Sequence, residues 1–153
     1  MLPQFYKFIV VNNSGSLLTY NNNGRINLKV TAVIITPATG KVAYAQLSDD
    51  DLGFIAASTL ADGAEIVGDV EIDNTSNLYM GLQVQLEITH DEGAAAVGTF
   101  DIYLDGGDAT GELASDATGY SNAEANGLEW VGSLTWESNG GDDEVMRSEV
   151  FNI

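Results

Sequence analysis

This chain of 153 residues carries 23 acidic and five basic residues, a net charge of −18, and no cysteine. Such a charge repels nucleic acids and anionic membranes, so direct binding to DNA, RNA or membrane is not expected. Without cysteine there are no disulfides or thiolate metal sites, and a hydrophobic fraction of 44% suffices for one folded domain over residues 1–153.

Short apolar runs separated by Gly, Asn and Asp dominate the chain and predict β-strands. The first run is Phe5–Val11, and a short second run covers residues 16–20. The pair Asn23-Gly24 is a strong hairpin signal because both residues tolerate positive φ. Beyond it, the long run Arg25–Thr36 predicts a third strand.

This third strand changes its pattern along its length. It alternates from Ile26 to Ala32 and then becomes continuously apolar at Val33-Ile34-Ile35, which predicts burial on both faces. Turn residues at 37–40 lead into Val42–Leu47, so the two runs predict a β-hairpin.

A single helix is predicted near residues 49–61. Ser48 can cap its start, and three consecutive aspartates, at 49–51, favour the positive end of the helix dipole. The acidic triplet therefore has an ordinary structural explanation as a helix start.

The second half of the chain predicts further strands. In the run Leu78–His90, we expect the apolar positions to face inward, namely Met80, Leu82, Val84, Leu86 and Ile88. The other predicted strands are Ala64–Asp73, Val97–Leu104, Leu128–Trp136 and Val145–Ile153.

The expected fold is all-β. Turn signals recur at the spacing typical of sandwiches and barrels, which predicts an antiparallel β-sandwich or jelly-roll-like barrel of about eight to ten strands. The acidic loops then connect core strands.

The charges are divided along the sequence. Residues 1–48 hold four basic residues and no acid, whereas residues 49–153 hold all 23 acids and Arg147. We expect the basic segment, with its aromatic residues, to be a docking region; its candidate interface residues are Phe5, Tyr6, Lys7, Phe8, Arg25 and Lys29.

Two acidic loops are candidates for calcium, which takes six to eight oxygen ligands. Their candidate ligands are Asp105, Asp108, Glu112, Asp142 and Asp143. Neither loop matches the EF-hand spacing, and solvated acidic turns are the alternative. We otherwise expect no cofactor.

Trp130 and Trp136 share a face if their strand is regular. They are either sandwich core or an aromatic anchor at a subunit or sugar-binding surface. Tyr103 and Tyr120 are expected nearby.

Catalysis is not expected. The one histidine, His90, is beside Asp91, but no serine lies in a Gly-x-Ser-x-Gly elbow. The nucleotide-binding motifs Gly-x-Gly-x-x-Gly and Gly-x-x-x-x-Gly-Lys do not occur in the sequence.

The apolar run at residues 8–11 is too short for a signal peptide. We therefore interpret the N-glycosylation sequons that begin at Asn12 and Asn74 as chance occurrences.

A cysteine-free, Gly-rich, acidic β-domain with short Asn-Gly and Thr-Gly turns resembles the small structural proteins of tailed bacteriophage virions. The resemblance implies a protein made in the host cytoplasm and located in the virion, in one of two roles. A capsid decoration (cement) protein would bind other virion proteins, chiefly the major capsid protein, as a homo-oligomer. A tail-tube or other tail component would stack in rings. A calcium- or carbohydrate-binding module is the alternative of another class.

Overall fold

The computed structural model describes residues 2–19, 25–36, 38–47, 59–68, 70–77, 79–90, 96–109, 112–117, 122–123, 125–138 and 144–153. The strands are β1 (Phe5–Asn13), β2 (Leu18–Thr19), β3 (Arg25–Thr36), β4 (Lys41–Leu47), β5 (Thr59–Leu60), β6 (Glu65–Val67), β7 (Ile72–Asp73), β8 (Tyr79–His90), β9 (Ala96–Gly107), β10 (Glu129–Ser138), β11 (Glu144–Arg147) and β12 (Phe151–Asn152). Two short helical elements lie among these residues, the turn α1 (Asn74–Asn77) and a 3-10 turn (Ala114–Asp116).

The strands form two antiparallel sheets, which confirms the predicted all-β sandwich. Sheet 1 has the order β10-β9-β1-β6, with β7 also paired to β1. Sheet 2 has the order β11-β8-β3-β4, with β12 also paired to β8. The short strands β2 and β5 form a separate two-stranded ribbon.

The core lies between the two sheets and follows the alternation of their strands. Its members from sheet 1 include Tyr6, Phe8, Val10, Phe100, Ile102, Leu104 and Leu134, and those from sheet 2 include Ile26, Leu28, Val30, Ala32, Leu82, Val84, Leu86 and Ile88. Tyr6 and Phe8 meet edge to face, with ring centroids 6.0 Å apart. Burial of these side chains provides the main stabilisation of the sandwich.

A second, smaller cluster covers the outer face of sheet 1. Ile9 and Val11 of β1 and Tyr103 of β9 pack there against Ala123 and Leu128. The Ala123 amide donates a hydrogen bond to Glu65 Oε2 at 3.0 Å, which attaches this covering segment to β6. The apolar run at residues 8–11 is consequently buried on both faces.

Both ends of the described chain are held by backbone hydrogen bonds. The Asn74 amide donates to the Gln4 carbonyl at 2.7 Å, and the Asn74 side-chain oxygen accepts from the Tyr79 amide at 2.7 Å. At the other end, Leu82 and Ile153 exchange two backbone hydrogen bonds of 3.0 and 2.9 Å.

Residues 49–58 of the predicted helix lie outside the described residues, and Thr59 and Leu60 belong to strand β5. Other sequence expectations need correction. The predicted strand over 64–73 is divided into β6 and β7, and the one over 145–153 is divided into β11 and β12. Met80, which was expected to face inward, is 56% exposed at the start of β8 and does not belong to the core.

No helix among the described residues has the length and apolar character needed to cross a membrane.

Candidate interaction surfaces

The β3–β4 hairpin forms a projecting arm at one edge of sheet 2. We use "the arm" for residues 33–36 and 38–44, the paired ends of β3 and β4 and their turn. Ile35 pairs with Val42 and Val33 with Tyr44, while the Gly40 amide donates to the Thr36 carbonyl at 2.8 Å. Gly40 adopts φ 64°, which glycine tolerates without steric cost.

The arm is open to solvent on its outer face. Tyr44 is 65% exposed and Val42 is 53% exposed, and Ile35 beside them is also exposed. The sequence predicts burial of Val33-Ile34-Ile35 on both faces, and this expectation is wrong for the single chain. The β-branched residues form the strand as predicted, but Val33 and Ile34 are only half-buried, and Ile35 is exposed beyond Ile34, the last residue of β3 that pairs with β8.

β4 is an edge strand of sheet 2. It pairs with β3 on one side, and no described strand pairs with its other side. Residues 25–47 hold Arg25, Lys29 and Lys41 and no acid. Each of the other three outer edges carries carboxylates: Glu129 and Glu137 on β10, Glu65 and Asp73 on β6 and β7, and Glu144 on β11.

A β-bulge decides where Trp130 points. Trp130 pairs with Tyr103 and Gly132 with Ile102, so Val131 is the extra residue. Leu134 consequently faces the core, whereas Trp130 lies beside Tyr103 on the outer face and is 59% exposed. The strand is therefore not regular, and the condition under which Trp130 and Trp136 were expected to share a face is not met. Trp136 lies in β10, and its side chain is outside the described part of the chain.

Two aromatic residues of the expected docking region are unavailable to a partner. Tyr6 and Phe8 are fully buried between the sheets, and Phe5 is half-buried. Burial, with a smaller contribution from Tyr79, raises the pKa of the Tyr6 phenol. The Tyr6 hydroxyl has no hydrogen-bond partner among the described residues.

Two of the basic candidates form ion pairs with acids from later in the chain, one in the 3-10 turn and one in β8. Lys7 Nζ lies 2.7 Å from Asp116 Oδ1, and Lys29 Nζ lies 2.8 Å from Glu87 Oε2. Arg147 Nε also donates to Glu87 Oε2. The division of charge along the sequence is therefore partly cancelled in space. The side chain of Arg25 lies outside the described residues.

Glu87 lies between the two cations on the outer face of sheet 2. The Lys29 ammonium, followed by the Arg147 guanidinium, lowers the pKa of the Glu87 carboxyl below its ordinary value, although burial opposes this shift. Glu87 is buried despite its outward position, because the flanking basic side chains cover it.

Asp105 has a structural role. It is buried, and its two carboxylate oxygens accept hydrogen bonds from the amides of Ala114 at 3.1 Å and Ser115 at 2.7 Å. Both oxygens thus hold the 3-10 turn, while the other candidates of that loop, Asp108 and Glu112, are exposed.

The described residues do not form a calcium site. Asp142 and Asp143 lie outside the described residues. Within the described ranges, no three carboxylate or histidine side chains come together as a metal site would require.

Both sequons begin at a buried asparagine. Asn12 Nδ2 donates to the carbonyls of Ser16 and Leu60, each at 2.9 Å. Asn74 Nδ2 donates to the Tyr79 carbonyl at 3.2 Å and the Pro3 carbonyl at 3.4 Å. A glycan on either nitrogen would break these contacts, so this fold does not accommodate glycosylation there.

A pocket of about 360 Å³ adjoins the N-terminal segment. Its lining is Leu2, Pro3, Gln4, Asn74, Thr75, Tyr79 and Met80. None of these lining residues is an acid, a lysine, an arginine or a histidine, so the pocket can hold an apolar side chain.

Comparison with protein-family models, curated proteins and solved structures finds no match to this chain.

Proposed function

We propose that this chain is a non-enzymatic structural protein of a virion, a capsid decoration protein that stabilises the shell through protein–protein contacts. The observation that carries the proposal is the arm. It presents exposed apolar side chains at a sheet edge with which no described strand pairs, and such an edge recruits other chains unless it is protected.

The charge of the remaining surface supports the same role. Outside residues 25–47, nearly all charged residues are acidic, and the net charge of the whole chain is −18. A surface of this kind repels the packaged nucleic acid and other acidic proteins, so contacts concentrate where acids are absent.

Electron microscopy of particles from the source organism tests this proposal. A regular lattice of this chain on the capsid surface is the expected result. Stacked rings would instead indicate a tail component, with carboxylates lining the channel. Absence from every particle would refute both virion roles.

Trp130 supports a second candidate function, a carbohydrate-binding module. Its ring is exposed beside Tyr103 on the outer face of sheet 1, and an exposed aromatic ring can stack against a sugar. A glycan array compares the wild-type chain with Trp130→Ala. Binding that the variant loses while its melting temperature is unchanged would favour this function, and no binding by either protein would exclude it for the glycans on the array.

A calcium-dependent version of that module has its own test. A cation that binds only the folded chain raises the melting temperature. No change in melting temperature at millimolar Ca²⁺ would exclude it.

A further inference from the structure

We infer that β4 is a dimerisation strand, which pairs antiparallel with β4 of a second copy of this chain and joins the two copies of sheet 2 into one continuous sheet. The inference rests on the proposed assembly role and names the partner of the arm.

The first argument is the mismatch between pattern and exposure. Val33-Ile34-Ile35 has the continuous apolar pattern of a strand covered on both faces, yet Ile35, Val42 and Tyr44 are exposed in the single chain. A second arm placed beside the first would extend the sheet and bring the two sets of apolar side chains together.

The second argument is electrostatic. Two copies of net charge −18 repel each other, and contact is least unfavourable where neither surface carries carboxylates. β4 is the only one of the four outer edges of the two sheets whose described strands carry no acid. A second copy that pairs along Lys41–Leu47 therefore meets no carboxylate of the described strand β4.

The third argument concerns the register. Lys41 is the only charged residue of β4 and occupies its first position. In an antiparallel pair of identical strands, Lys41 of one copy meets Lys41 of the other only if the strands overlap at that residue alone. Any longer overlap places Lys41 opposite an uncharged residue. Ala43 and Ala45 on the opposite face are small, which favours close approach of another strand.

Pairing of one strand with its own copy produces a two-fold interface, the commonest symmetry of homodimers. The same residues contribute from both sides, so each substitution in β4 acts twice. This property makes the interface sensitive to a single added charge.

The first experiment is sedimentation velocity over a wide concentration series with Tyr44→Glu and a matched control, Val150→Glu. Both variants replace an exposed apolar residue by a carboxylate, but Val150 lies outside the strands. We expect the dimer dissociation constant to rise about tenfold or more for Tyr44→Glu and to change little for Val150→Glu. Equal effects of the two variants would overturn the inference, as would a wild-type chain that stays monomeric at the highest concentration.

The salt dependence separates two modes of contact. Added NaCl screens the repulsion between the two acidic bodies, so strand pairing should strengthen with salt. Weaker association with salt would indicate that the basic arm docks on an acidic surface, and it would refute pairing of β4 with β4.

Hydrogen exchange locates the contact without a variant. Amide protection within Lys41–Leu47 should increase with protein concentration, while protection in β10 should not. Protection in β4 that is independent of concentration while dimers form would overturn the inference.

The outcomes for the arm and for the proposed function are distinguishable. A monomer in solution that nevertheless decorates particles would refute the dimer and leave the decoration role intact. A β4 dimer that is found on no particle would do the reverse.

Discussion

The aromatic ring of Phe151, in β12, lies directly against the main chain of Gly132, in β10. A Cβ added at position 132 would stand 2.5 Å from Cδ1 and Cζ of that ring, closer than carbon atoms pack. The contact joins an edge of sheet 1 to an edge of sheet 2, and it depends on the missing side chain.

We expect Gly132→Ala to destabilise the fold by about 1–3 kcal/mol, since overpacking moves either the ring or the strand. Chemical denaturation measures the change in the free energy of unfolding. Gly107→Ala is the control because its Cβ would meet Leu113 at an ordinary 3.4 Å. Phe151→Leu combined with Gly132→Ala should recover part of the loss, and no recovery would contradict the steric explanation.

Glu87→Gln should lower stability at neutral pH and flatten its acid dependence. The pKa of Glu87 is lower in the folded chain than in the unfolded chain, so its contribution is present above the unfolded pKa of about 4.3. That contribution is lost as the pH falls through the folded pKa. Melting temperatures from pH 7 to about pH 3 measure this difference.

Glu149→Gln is the matched control for Glu87. It removes one carboxylate from an exposed position and relieves the same overall repulsion. If the two variants show parallel pH profiles, the pairing of Glu87 with Lys29 and Arg147 makes no contribution to stability.

Asn74→Ala should destabilise the fold by about 1–3 kcal/mol, because it leaves the partly buried Tyr79 amide without its acceptor. Hydrogen exchange should show faster exchange of the Tyr79 amide. Ser76→Ala, at an exposed position of α1, should leave both stability and exchange unchanged. Unchanged exchange at Tyr79 in Asn74→Ala would disprove the anchoring role.

Trp130→Ala should change the free energy of unfolding far less than Leu134→Ala. Trp130 is 59% exposed and Leu134 is 4% exposed, so truncation of Leu134 alone leaves a cavity and should cost about 2–5 kcal/mol. Urea denaturation compares the two variants. A larger loss for Trp130→Ala would mean that its ring packs in the core.

The strands were predictable where one physical rule governs them. Phe100, Ile102 and Leu104 alternate with polar residues because one face of β9 meets the core, and the bounds of β3 follow from its β-branched run between turn signals. The pairing of β3 with β4 followed from their adjacency and the turn between them.

Other features depend on contacts between distant residues. A bulge at Val131 reverses the side of Trp130, and the Gly132 next to it is the only local signal. Strand alternation alone places Tyr6 and Phe8 on the core face of β1. Their aromatic character, which is also typical of interfaces, led to the prediction that they dock a partner. The arm could not be recognised because an apolar run looks the same whether its partner is another part of the chain or another molecule.

The position of β1 in sheet 1 has a consequence for synthesis. Phe5 pairs with Gly107 and Val10 with Ile102, so β1 acquires this neighbour only after β9 has left the ribosome. Closing so long a loop is slow compared with hairpin formation. The apolar run of β1 therefore remains without its β9 partner until β2 to β8 have been synthesised, whereas β3 and β4 can pair as soon as the turn between them is complete.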